Sequence, residues 1–153
     1  MNAVENLQKS PFSLVLSGGG ALGIAHLGVI ADMERFKLEP DEIIGTSMGA
    51  IIGACLAIGM KEKDIVKALK HFGDSSNWIN LSLRGNSVID DKKIKEIFEY
   101  IFGNRKICET KIPLKIIATE LLSGEKYIFS SSSTTPIVDA LLATMAIPGI
   151  FKE

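Results

Sequence analysis

The stretch that most constrains this chain is Glu42-Ile43-Ile44-Gly45-Thr46-Ser47-Met48-Gly49-Ala50-Ile51-Ile52-Gly53, where a serine between two glycines joins a short apolar strand to an apolar helix. This is a nucleophile elbow in sequence form. A hydroxyl attacks an ester only if it stands clear of its neighbours, so the backbone must turn sharply at Ser47 and hold it in a sparsely allowed conformation. Gly45 and Gly49 make room for that turn. Without side chains at those two positions strand and helix can cross closely, and the helix after Ser47 points its positive N-terminal end at a developing anion.

A serine flanked by glycines two residues away is only moderately specific by itself. Its surroundings add weight. The apolar run Phe12-Ser13-Leu14-Val15-Leu16 ends at Gly18-Gly19-Gly20, a loop free of side chains whose backbone N–H groups could receive an oxyanion. From Ala21 to Phe36, Leu22, His26, Val29, Ile30, Met33 and Phe36 recur at three- and four-residue spacing, which predicts a helix packing that face on a sheet. Strand, glycine loop, helix, strand 42–44 and helix 48–58 make a βαβα order. That order implies an α/β fold with a mainly parallel sheet flanked by helices and right-handed crossovers.

Further along, Ile65, Ala68, Leu69 and Phe72 predict an amphipathic helix with Lys61, Lys63, Lys67 and Lys70 on its wet face. A long Gly-, Ser- and Asn-rich connection is expected over 73–89; it contains Trp78, which could pack in the core or face a substrate or interface. Asp90 or Asp91 could cap the next helix, in which Ile94, Ile97, Phe98, Ile101 and Phe102 form a stripe that Gly103-Asn104 ends. Residues 113–118 read as a strand, Ser123-Gly124 as a turn and 126–129 as the returning strand, with a helix from Pro136 to about Ala146. No internal repeat or second domain is visible. Residues 1–11 read as an N-terminal tail and 12–153 as one domain.

Composition excludes several classes. With 17 basic and 18 acidic residues in 153, no global field recruits nucleic acid. Cys55 and Cys108 have no paired spacing, which fits neither a disulfide framework nor a zinc site and points to a reducing, cytoplasmic setting. Residues 48–60 are strongly apolar but far short of the roughly 20 needed to span a bilayer, so they read as a buried helix. Gly18, Gly20 and Gly23 do satisfy G-x-G-x-x-G, but a dinucleotide site needs an acidic residue closing the second strand, and Gly45-Thr46-Ser47 stands there. The histidines do not complete a Ser-His-Asp triad: His26 reads as a packed, hydrogen-bonded histidine and His71 as a helix-terminal one. Cys55 reads as core, Cys108 as an incidental thiol, and Gly49 with Gly53 as a close-packing pair. The lysine row is either a solvated face or a transient contact with a membrane surface.

Taken together, Ser17-Gly18-Gly19-Gly20-Ala21-Leu22-Gly23 and the run through Val29, Gly45-Thr46-Ser47-Met48-Gly49, 117–121 with its Ser123-Gly124 turn, and 143–151 resemble the patatin-like phospholipase family, in particular its compact bacterial members. The resemblance implies a three-layer α/β/α fold, incomplete at the C-terminus, and a lipid acyl hydrolase with a serine-aspartate dyad and no cofactor. It implies Ser47 as nucleophile and Gly18, Gly19 and Gly20 as the oxyanion loop, with His26 outside the chemistry and a lipid or acyl ester as substrate. Leu22 stands where many members carry Arg or Lys; Glu120 and Thr144 replace a common Asp and Ser. The dyad aspartate belongs to an Asp-Gly motif beyond the Pro-x-x-Phe segment, and no Asp-Gly pair occurs in these 153 residues. The expectation is therefore the nucleophile half of such a hydrolase, poorly active alone; the alternative is an inactive lipid- or acyl-binding module of the same fold.

Overall fold

Three apolar runs too short for helices are each separated by helical patterns, and such runs can satisfy their backbone groups only by pairing as parallel strands linked by crossovers. A computed structural model, which describes residues 6, 8, 10–76 and 91–146, shows that arrangement. The strands are β1 (Ser13–Leu16), β2 (Glu42–Gly45), β3 (Leu114–Thr119) and β4 (Lys126–Phe129), hydrogen-bonded in that order. β1, β2 and β3 run parallel, and β4 returns antiparallel to β3. The helices are α1 (His26–Arg35), α2 (Met48–Ala57), α3 (Glu62–Ser76), α4 (Asp91–Phe102) and α5 (Ile137–Met145), with 3-10 turns at Gly20–Ala25 and Ile107–Glu109.

Register places Leu14 beside Ile43 and Leu16 beside Gly45, with Ile43 beside Leu114 and Gly45 beside Ile116. Because strand side chains alternate, these residues share one face. α2 lies on that face, and every residue of α2 except Leu56 is buried, as expected of a helix that is apolar all round. Burying each isoleucine there contributes about 1.5–3 kcal/mol. Gly53 is a point of closest approach: a Cβ on it would lie 2.9 Å from Ile43 Cγ2. Phe98 and Phe102 of α4 complete the core, fully buried and edge to face at 6.3 Å. The other sheet face carries Val15, Ile44, Ile117 and Ile128, of which Val15 and Ile128 are exposed. On the same face Lys115 Nζ meets Glu42 Oε1 at 2.6 Å across β2 and β3.

Two expectations are corrected. The first helix is not continuous from Ala21: Gly20–Ala25 forms a 3-10 turn and the α-helix starts at His26. A 3-10 turn advances three residues per turn, so the phase read across its junction with the helix fails. Leu27, Ile30 and Met33 are the buried positions, while Leu22, Val29 and Phe36 are exposed. Secondly, α3 continues through Gly73 to Ser76; one glycine costs a helix only about 1 kcal/mol, which tertiary packing overrides. Trp78, Asp90 and the segment 147–151 lie outside the described residues. The stripe of α4 holds, with Ile94, Phe98 and Phe102 buried, and Gly103 ends the helix at φ 57°.

Candidate active site

Ser47 is at the strand-to-helix corner with φ 51° and ψ −124°, and the only other described non-glycine residue with positive φ is Lys37. Such a backbone costs of order 1–3 kcal/mol and persists only where its surroundings over-determine it. They do here. Thr46 N–H donates to Leu16 O at 3.2 Å, tying the corner to the end of β1. Gly49 N–H then closes on Thr46 O at 3.0 Å and Ala50 N–H on Ser47 O at 2.9 Å, starting α2 at once. The turn admits no side chain on either flank. A Cβ on Gly45 would sit 2.5 Å from Ala50 Cα, and one on Gly49 would run into the carbonyl oxygens of Leu16 and Ser17.

The glycine loop reaches the same corner. A Cβ on Gly18 would stand 3.3 Å from Ser47 Cβ and 3.5 Å from Thr46 O, so the loop backbone passes directly beside the serine. Gly19 at φ 149° and Gly20 at φ 54° then turn the chain into the 3-10 segment, in which Leu22 N–H donates to Gly19 O. Among the described residues, the amides of Gly18 and Gly19 have no protein acceptor. Donors left unpaired beside a half-buried hydroxyl are what a site for a developing oxyanion requires. The 3-10 segment is fixed from below, since a Cβ on Gly23 would collide with the Met48 side chain. His26 holds the loop from its other end: its Nε2–H donates to Ser17 O at 2.9 Å. That bond commits His26 to the loop backbone rather than to the serine hydroxyl.

Thr144 was not assigned a role from sequence. Ser47 N–H donates to Thr144 Oγ1 at 3.0 Å, and the Thr144 hydroxyl in turn donates to Ile117 O. One side chain at the end of α5 thus clamps the elbow to β3. The signal in the sequence was only that a hydroxyl residue occurs near the end of an apolar helix; its partner is 97 residues away, beyond the reach of local pattern.

The remaining candidates fall elsewhere. Cys55 is buried in α2, and burial pushes its thiol up to about 12, which makes it a core residue without nucleophilic character. Cys108 is exposed on the 3-10 turn. Asp139 is exposed in the first turn of α5, more than one helical turn before Thr144. Among the described residues no carboxylate hydrogen-bonds Ser47, and no group of three or more His, Cys, Asp or Glu could hold a metal ion. Lys61, Lys63, Lys67 and Lys70 are exposed, with Lys67 loosely paired to Asp64 at 3.9 Å. No described helix is long and apolar enough to cross a membrane.

A sequence model of the family described as patatin-like phospholipase matches residues 14–153. The chain belongs to the patatin-like phospholipase family. It is 30% identical over 144 residues to an uncharacterized NTE family protein of Mycobacterium tuberculosis, covering 90% of this chain and 38% of that protein. Over 82 residues it is 37% identical to triacylglycerol lipase ptl3 of Schizosaccharomyces pombe, covering 53% of this chain and 17% of the lipase. The fold matches that of ExoU from Pseudomonas aeruginosa, solved in complex with SpcU, with a TM-score of 0.60 and 19% identity over 90% of this chain and 38% of ExoU. The chain therefore spans well under half the length of these relatives.

Proposed function

We propose that this patatin-like chain carries the nucleophile half of a serine hydrolase acting on acyl esters of lipids. The observation that carries the reading is the juxtaposition of Ser47, at φ 51°, with the backbone of Gly18, whose amide has no acceptor among the described residues. Ser47 Oγ attacks the acyl carbonyl carbon while a general base takes its proton; the carbonyl oxygen, now negative, is received by the amides of the glycine loop and by the N-terminal end of α2. Collapse of the tetrahedral intermediate expels the alcohol and leaves an acyl-serine. Water then repeats the sequence and releases the fatty acid.

The base is assigned to an aspartate outside these residues, in the Asp-Gly motif that the family resemblance implies. Supporting this, no described carboxylate pairs with Ser47, and His26 is committed to Ser17 O. A missing base typically costs about 10²- to 10⁴-fold, so these 153 residues by themselves turn over slowly. That the Schizosaccharomyces pombe relative is named a triacylglycerol lipase supports the substrate class. A lipid-binding module without turnover is the competing reading, favoured by the same lack of a paired carboxylate. A fluorophosphonate probe separates them: a covalent adduct on Ser47, absent from Ser47→Ala, supports the hydrolase, and lipid binding by folded protein with no adduct supports the module.

A further inference from the structure

The carbonyl and the N–H of one trans peptide lie in a rigid plane and point in opposite directions, so whatever fixes the first also aims the second. The peptide joining Ser17 to Gly18 is trans and is held at its carbonyl end. His26 Nε2 lies 2.9 Å from Ser17 O, and because a carbonyl oxygen only accepts, that nitrogen carries the proton. The same oxygen packs against the first turn of α2: a Cβ on Gly49 would stand 2.5 Å from it. At the other end of the plane is Gly18 N–H, which has no acceptor among the described residues. Gly18 is also where the loop passes the nucleophile, since a Cβ there would lie 3.3 Å from Ser47 Cβ.

Satisfying Ser17 O is not reason enough for a histidine. The contact is open to solvent, so water could take the donor's place at little cost in stability. What water does not supply is a fixed direction. The imidazole does, because it is itself held. His26 opens α1, and its ring edge rests over Gly23, with Cδ2 3.9 Å from where a Cβ would stand; Gly23 in turn is packed on Met48, the first residue of α2. A line of contacts therefore runs from the helix that follows the nucleophile, through the imidazole, to the glycine-loop peptide. Accepting a hydrogen bond also polarises a peptide and strengthens what its N–H donates, by roughly 10–30%.

We infer that His26 is a positioning residue for the oxyanion: through Ser17 O it aims and polarises Gly18 N–H, while touching neither the ester nor Ser47. Position 26 then requires an N–H donor of the right reach, not a base and not a cation. The inference rests on the serine hydrolase reading for the anion it serves, but one of its readouts involves no chemistry.

The test compares His26→Ala and His26→Met, which lack the donor, with His26→Gln, whose amide nitrogen reaches the place of Nε2. Losing an oxyanion donor outright costs about 10²- to 10³-fold, and losing only its aim costs less. Saturation kinetics with a fluorophosphonate should show kinact about 10-fold lower in the alanine and methionine variants, with KI unchanged, and recovered in the glutamine variant. Relaxation of the 15N nucleus reads the aim directly: the order parameter of the Gly18 amide falls from about 0.85 toward 0.6 in the donor-free variants and returns in His26→Gln. A folded donor-free variant that labels at the parental rate overturns the inference. So does a slowed variant whose Gly18 amide is as rigid as the parent's, a glutamine variant that recovers neither reading, or loss of the fold in both donor-free variants, since the residue would then serve the fold and not the amide. A parent that takes no label on Ser47 overturns the hydrolase reading instead, and the Gly18 order parameter then decides by itself whether His26 holds the peptide.

Discussion

Removing the Thr144 hydroxyl isolates the clamp on the elbow. Thr144→Val preserves shape and branching but leaves two groups without partners, Ser47 N–H and Ile117 O. An unsatisfied buried group costs about 1–3 kcal/mol; Thr144 is half-buried, so the low end applies and the sum is about 2 kcal/mol. For a domain of this size each kcal/mol moves Tm by about 2–4 °C, giving a fall of about 4–8 °C by scanning calorimetry. The kinetic effect is the sharper one. With its N–H released, Ser47 can relax from φ 51°, and a displacement of about 1 Å at a reacting atom costs up to about 100-fold. The rate of fluorophosphonate labelling therefore falls about 10- to 100-fold in Thr144→Val and recovers in Thr144→Ser, which keeps the donor and acceptor. A valine variant that melts and labels like the parent refutes the clamp.

Other substitutions probe the neighbouring contacts. Gly18→Ala should fold, since its φ is ordinary and the new Cβ needs only a few tenths of an ångström from Ser47, yet labelling should drop at least 10-fold because the methyl crowds the nucleophile. Gly49→Ala meets backbone oxygens that cannot yield, and chemical denaturation should show a loss of about 3 kcal/mol or no folded protein. Iodoacetamide at mildly alkaline pH should modify Cys108 and spare Cys55 in the native chain, with mass spectrometry locating one adduct. Hydrogen bonds from Ser123 and Leu122 lower the folded-state value of Glu120, so its stabilisation of the 120–125 turn is present above the ordinary glutamate range and lost as pH falls through the lowered one. Protection of the Leu122 and Ser123 amides in hydrogen exchange should fall across that acid window and be absent at all pH in Glu120→Ala, which has no side-chain acceptor.

What the sequence revealed and what it hid divide by range. The elbow was legible because its requirements are local: two glycines two residues either side of Ser47, a strand before and an apolar helix after. The parallel sheet followed from the alternation of strand and helix patterns, and the α4 stripe from its spacing. The reading of the first helix failed where a 3-10 turn precedes the α-helix, because one periodicity was laid across two pitches; Leu22, placed on the packed face by that reading, stands in water. The connection expected over 73–89 begins later than its composition suggests, because α3 passes through Gly73 to Ser76. Thr144 escaped assignment because its partner lies across the fold.

The most direct test of the account is a crystal structure of the protein after reaction with a fluorophosphonate. The account predicts phosphorus bonded to Ser47 Oγ and one phosphonyl oxygen about 3 Å from the amide nitrogens of Gly18 and Gly19. A phosphonyl oxygen turned away from those amides, or an adduct on any residue other than Ser47, would contradict it.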